Sequence, residues 1–422
     1  METNQPAAEV QPWRRRFFTI WVSQAVSEFG SHIVGFALIW WLTSATNSAM
    51  ILSIASIAEL APNIVLGPFV GALVDRWDRR RTMIIADTAI GLFGLLLVLS
   101  AWLNLLRPWQ VFVVIFVRAL GGVFHYTAMR ASTTLLVPPG QYTRIAGLNS
   151  TLEGLVIVAA PPVGALLYSV LVLPAVLIVD VITALPAVIL LLVLAIPRPV
   201  RADASEGVTA RRVLADVGAG FSYLRHLRGL FLIVILATLG RTLLEPAFRL
   251  LPILVTRHFG GGALELGWFE SAYGVGAIVG GMVLGAWGGF KKRIYTWMAG
   301  LIGVGLGCLL VGLSPAQMFW LVVGAGGWLG VAMTFTNGPL IAIIQQIIPP
   351  EMQGRVFTLI MSVGMALAPL GLVVAGLLAD RLSVQVWFVA AGLGCIAMAL
   401  IAISSRHVRQ LESNTPAGPK AC

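Results

Sequence analysis

Twelve apolar runs, each about 20 residues or longer, fill the sequence between residues 17 and 405. A run of that length crosses roughly 30 Å of hydrocarbon as a helix, because each residue adds about 1.5 Å. Hydrocarbon offers no water to the backbone, so every N–H and C=O must bond within the protein, and helices satisfy this segment by segment. The pattern predicts spans over 17–42, 49–73, 82–103, 109–130, 145–170, 173–196, 229–256, 265–289, 294–313, 317–347, 355–379 and 384–405. Only 11% of the 422 residues are charged, against about 25% in a soluble domain, too few to cover a water-facing surface. The expected class is an all-α, multi-pass membrane protein.

The basic residues set the orientation. With the N-terminus inside, inner segments hold 22 of the 28 Lys and Arg, including Arg14–Arg16, Arg76, Arg79–Arg81, Arg130, Arg144, Lys291–Arg293 and Arg355. The outer loops hold Arg107, Arg257 and Arg381, and Arg118, Arg241 and Arg249 lie inside spans. This bias predicts two cytoplasmic termini. The net charge of +10 follows the same pattern of short clusters between spans, which suits anionic lipid and not nucleic acid. Cys308, Cys395 and Cys422 make no disulfide framework or metal spacing, and no metal or cofactor is expected. The first apolar run lacks the cleavage site of a signal peptide and is expected to remain as a span.

The longest polar segment, 197–228, divides the chain. The expected organisation is a cytoplasmic tail (1–16), a six-helix bundle (17–196), a cytoplasmic linker (197–228), a second six-helix bundle (229–405) and a cytoplasmic tail (406–422). In the linker, Leu214, Val217, Phe221 and Leu224 fall at helical spacing; an amphipathic helix on the inner membrane face and a solvated linker both remain open. The halves repeat. "LLVPPGQYTRIAGL" (135–148) and "QIIPPEMQGRVFTL" (346–359) share a Pro-Pro pair followed by Arg144 or Arg355 at an offset of 211 residues. "GPFVGA" (67–72) answers "GMVLGA" (281–286) at 214. Such duplication predicts two pseudo-symmetric six-helix bundles around a central cavity, with a substrate site at the midplane.

Three motifs carry a resemblance to the major facilitator superfamily. "GALVDRWDRRR" (71–81) resembles its loop 2–3 signature, with Asp78 where the pattern usually has glycine. "RALGG" (118–122) is similar to its span-4 motif, and "APPVGA" (160–165) to the span-5 motif of its antiporters, with alanines for the first and last glycines. The whole chain looks like the twelve-span drug:proton antiporter branch that holds macrolide and siderophore exporters. The resemblance implies export of a small amphiphilic molecule in exchange for protons, by alternating access, from a bacterial inner membrane. It implies a monomer whose partners are substrate, protons and the bilayer.

The motifs carry residue roles. Gly71, Asp75, Arg76, Arg79, Arg130 and Arg355 are expected to form a cytoplasmic gate, in which Asp75 pairs with Arg130 and faces the N-terminus of span 11 near Arg355. Arg79–Arg81 are otherwise read as topology signals. Gly67 and Gly71 are expected to let a neighbouring helix close in. Pro161, Pro162 and Gly164 mark either a bend that seals the transport path or a packing kink.

A charge at the centre of a bilayer costs at least about 2.5 kcal/mol, so intramembrane charges face the interior and pair. The resemblance places spans 1, 4, 7 and 10 on the cavity, which makes Glu28 the leading partner of Arg118 and Glu59 the second. Two readings stand: Glu28 carries the coupling proton with Arg118 setting its affinity, or the pair merely neutralises Arg118. Arg241 and Glu245, four apart, are expected to pair within span 7. His32, Phe36, Phe124, Tyr126, Arg241, Glu245, Trp328 and Asn337 are the candidate substrate-cavity residues.

An enzyme is not expected: no segment outside the membrane is large enough for a domain, and no phosphate-binding glycine loop is present. Proton-coupled import and passive conduction remain alternatives, separable by uphill accumulation in vesicles.

Overall fold

The structure is a computed structural model that describes residues 10–194, 196 and 210–412. Most of the expected N-terminal tail, the first part of the linker (197–209), and the end of the C-terminal tail with Cys422 lie outside the described residues. Within them stand fifteen α-helices and no strand. These are α1 (Val10–Thr46), α2 (Ala49–Arg76), α3 (Arg79–Trp102), α4 (Pro108–Leu136), α5 (Tyr142–Val170), α6 (Leu173–Val193), α7 (Ala210–His226) and α8 (Arg228–Arg249). They continue as α9 (Leu251–Arg257), α10 (Ala263–Trp287), α11 (Arg293–Leu313), α12 (Phe319–Ile347), α13 (Pro350–Arg381), α14 (Val384–Ser404) and α15 (Arg406–Arg409). Twelve of these helical stretches are long and apolar enough to cross a membrane, matching the predicted spans.

Helix ends follow local chemistry. Prolines open α4, α6, α9 and α13 in the first two positions, where no intrahelical N–H is lost. Asp78 caps α3: its side chain accepts the Arg81 backbone N–H at 3.1 Å. The departure from the glycine of the family pattern therefore has a structural use. Gly288 ends α10 at φ +77°, a left-handed conformation that suits glycine.

The seventh span differs from the expected continuous run over 229–256. It ends as α8 at Arg249, and Leu250 (φ −94°, ψ 2°) separates it from α9. Pro246 lies in the last turn of α8 and Pro252 opens α9, so backbone donors are missing on both sides of the break. In span 5, by contrast, α5 remains helical through Pro161 and Pro162.

The helices group into two compact units. The first holds α1 as far as Trp41, α2 from Ala58, and α3 to α6. One of its cores, at the end where the arginine cluster lies, packs Phe17 and Ile20 against Val70, Val74, Met83, Ile145 and Leu191. Another packs Ile33 and Ala37 of α1 on Val156 and Ala160 of α5 and Val176 of α6. A Cβ at Gly164 would stand 3.1 Å from Phe36 Cδ1 and 3.2 Å from the Ile33 carbonyl, so the span-5 motif seats α5 on α1.

The second unit holds α7 to α15 and Leu42–Ile57, the tip of the α1–α2 hairpin. This departs from a division at the linker alone. Its helices meet through glycine: a Cβ at Gly276 or Gly330 would overlap the backbone of the facing helix across α10 and α12. The linker helix α7 packs on α13, where a Cβ at Gly220 would lie 2.8 Å from the Arg355 carbonyl oxygen. At the hairpin tip, Gly376 of α13 lies against Met50 and Ser53 of α2, and the buried Ser53 hydroxyl finds no partner among the described residues.

Candidate functional site

A cavity of about 260 Å³ opens inside the first unit. Its lining is polar where the surrounding spans are not, and α4 supplies the axis. Arg118, Gly122, His125 and Met129, spaced four, three and four residues apart, form one helical face on it. Trp21, Gln24, Glu28, Ser31 and His32 of α1, Asp87 of α3, and Asn149 and Glu153 of α5 complete it.

Three basic side chains on α4 each meet an acid from a different helix. Arg118 bonds through Nη1 to Asp180 of α6, and through Nη2 to the Ser31 carbonyl of α1. Asp180 is 1% exposed, and its other oxygen accepts the Ser31 hydroxyl at 2.7 Å. Two turns along, His125 Nε2 lies 2.9 Å from Gln24 Oε1 and 3.5 Å from Asp87 Oδ1. Arg130 Nη2 lies 3.2 Å from Glu153 Oε1, which also accepts the Tyr126 hydroxyl at 3.2 Å, and the guanidinium sits 4.5 Å over the Tyr126 ring. Trp21 Nε1 donates to Asn149 Oδ1 at 2.7 Å.

The expected partner of Arg118 is thus corrected. Asp180 holds it, and Glu28, about one turn of α1 from Ser31, lines the cavity with no hydrogen bond among the described residues. Glu59 is not among the cavity residues. His32 and Tyr126 line the cavity as expected. Phe36 is instead packed on Gly164, and Phe124 turns to the other side of α4, stacked on Trp77 at 5.7 Å. Gly121 presses on Ile90 of α3, whereas Gly122 faces open space.

The gate residues are also rearranged. Asp75 bonds to Arg79 at 3.3 Å, and Arg130 is taken by Glu153, so the expected Asp75–Arg130 pair is not formed. Four residues separate Asp75 from Arg79, a shorter reach than the one to α4. Arg79 Nη1 donates to the Ala131 carbonyl at 2.7 Å, and Arg80 donates to the Leu191 and Leu192 carbonyls at the end of α6. These arginines are therefore structural ties as well as a charge signal: Arg79 ties α3 to α4, and Arg80 serves the end of α6, where carbonyls are left with spare acceptors. Arg76 is exposed, Arg355 Nη1 lies 3.8 Å from Met352 Sδ, and a Cβ at Gly67 or Gly71 would meet nothing within 4 Å.

In the second unit, Glu245 pairs with Arg249 at 3.1 Å and not with Arg241. An acid N-terminal to its base at this spacing is the better arrangement on a helix. Trp328 Nε1 donates to the Gly303 carbonyl at 2.8 Å, joining α12 to α11, and Asn337 is exposed on α12. Asp180, Asp87, His125, Gln24, Ser31 and Asn149 are among the site residues that sequence reasoning missed. No group of three or more His, Cys, Asp or Glu placed to hold a metal occurs among the described residues.

Twelve apolar spans and a charged cavity around α4 define a transporter of the major facilitator superfamily. A model of one family within it, described as "Transmembrane secretion effector", matches residues 7–419. The chain belongs to that family. It is 35% identical to macrolide efflux protein A of Streptococcus pyogenes, over 95% of this chain and 98% of that one. It is 25% identical to the multidrug efflux pump Tap of Mycolicibacterium fortuitum, over 91% and 94%. Among solved structures, a single-site mutant of the nucleoside transporter NupG superposes with a TM-score of 0.68 at 13% identity, over 93% of this chain and 100% of that one.

Proposed function

We propose that this protein exports macrolide-like amphiphilic drugs from the bacterial cytoplasm across the inner membrane, in exchange for protons. The substrate class rests on the named activity of the 35%-identical relative. The coupling rests on one observation: Glu28 faces the cavity with no hydrogen bond among the described residues, while Asp180 already neutralises Arg118. A carboxyl so placed can take a proton from one side and release it to the other. Glu28 is the proton carrier in this reading, and Arg118 with Asp180 is the fixed element beside it.

The arginine-rich face is cytoplasmic, in accord with the positive-inside bias. The cavity is reached alternately from the two faces, and an amphiphile is held by its polar lining and by Trp21 and Tyr126. The test is macrolide susceptibility of an efflux-deficient bacterium, with and without a protonophore. Expression should raise resistance, and the protonophore should remove the gain. Resistance that is absent, or that survives collapse of the gradient, overturns the reading.

A further inference from the structure

We infer that Asp380 and Arg257 form an outer gate that closes on the tip of the α1–α2 hairpin. This rests on the export reading only for the names of the two faces. Asp380, in the last turn of α13, accepts four hydrogen bonds. Oδ1 takes the Ala49 N–H at 2.9 Å and Arg257 Nη2 at 2.8 Å; Oδ2 takes the Ser48 hydroxyl at 2.9 Å and the Met50 N–H at 3.0 Å. Ala49 and Met50 are the first residues of α2, so a carboxylate from another span caps the positive end of this helix. Arg257, ending α9, holds the same tip through the Asn47 carbonyl and, at 3.3 Å, through Asn47 Oδ1.

Two features make this contact separable. First, α2 carries its own spare cap. Ser48 immediately precedes the helix, and its hydroxyl accepts the Ile51 N–H at a long 3.4 Å while it donates to Asp380. When Asp380 withdraws, Ser48 can serve the helix end alone, as serine does at many N-termini. Second, Arg257 stands on α9, which the break at Leu250 separates from α8.

Asp75 holds the same place in α2 that Asp380 holds in α13, an acid in the last turn of the helix. The two differ in their bonding: Asp75 is 69% exposed and bonded to Arg79, four residues along its own chain, whereas Asp380 accepts four hydrogen bonds.

The test uses the full-length protein in cells, with Cys308, Cys395 and Cys422 replaced by alanine. A single reporter, Gly122→Cys, sits on the cavity where a new side chain meets nothing within 4 Å. A membrane-impermeant maleimide is added from outside. Asp380→Asn, and separately Arg257→Gln, should raise the labelling rate about fivefold or more, because each weakens the closed state. An unchanged rate in both variants, at normal membrane levels, overturns the gate.

Should either variant fail to insert, the pair Ser48→Cys and Asp380→Cys decides. Oxidative cross-linking should stop export and reduction restore it; export that continues through the cross-link overturns the gate. The labelling needs neither substrate nor a gradient. A failed export reading and a failed gate are therefore told apart.

Discussion

One guanidinium joins three helices: Arg118 of α4 bonds to Asp180 of α6 and to the Ser31 carbonyl of α1, and Asp180 takes the Ser31 hydroxyl as well. A buried pair of this kind stabilises little relative to apolar residues, but loss of one partner leaves a charge stranded in hydrocarbon. Asp180→Ala should therefore cost about 3–5 kcal/mol. It should lower both the membrane level and the melting temperature in detergent. The double replacement Arg118→Leu with Asp180→Leu should recover most of that stability without recovering transport. A double variant no more stable than Asp180→Ala would argue against the pair.

Glu153 and Arg130 offer a contrast. Their side chains are 34% and 56% exposed, so solvent screens the pair. Glu153→Gln should change stability by less than about 1 kcal/mol. Thermal melts of the purified protein in detergent check this, and a drop as large as that of Asp180→Ala contradicts it.

Glu28→Gln removes the proposed proton carrier while keeping its size. We expect export against a gradient to be lost, with substrate exchange down a gradient retained. Counterflow in proteoliposomes measures the second, and accumulation under an imposed pH gradient the first. Proton-driven accumulation that survives in Glu28→Gln assigns the proton to another group.

Asp78 caps α3, and glycine at an N-cap is only a few tenths of a kcal/mol worse, whereas alanine costs about 1 kcal/mol. Asp78→Gly should therefore be better tolerated than Asp78→Ala, as melting temperatures would show. The reverse order would mean that the cap is not what Asp78 supplies.

The spans were legible because hydrocarbon thickness imposes one length on every crossing helix. The break at Leu250 was less legible, because Pro246 and Pro252 lie inside an otherwise continuous apolar run. The partner of Arg118 needed a second measure, depth. Arg118 is ten residues into α4 and Asp180 seven into α6, roughly 15 and 10 Å from the starts of two helices that run the same way. Counting from those starts would have favoured Asp180. His125 was readable from its spacing of seven from Arg118, but a histidine among Phe124 and Tyr126 carries little signal of its own. The engagement of Asp380 depends on which helix ends meet, and one sequence does not contain that.

The orphaned Ser53 hydroxyl beside Gly376 bears on reversibility. A buried hydroxyl without a partner costs about 1–3 kcal/mol. That cost falls on the closed arrangement of the hairpin tip and opposes the four bonds on Asp380. A transporter must leave each resting state once in every cycle, and a contact too stable would trap it. Supplying Ser53 with a partner, or removing its hydroxyl, would deepen the closed state and slow turnover, so the most stable version of this protein need not be the fastest.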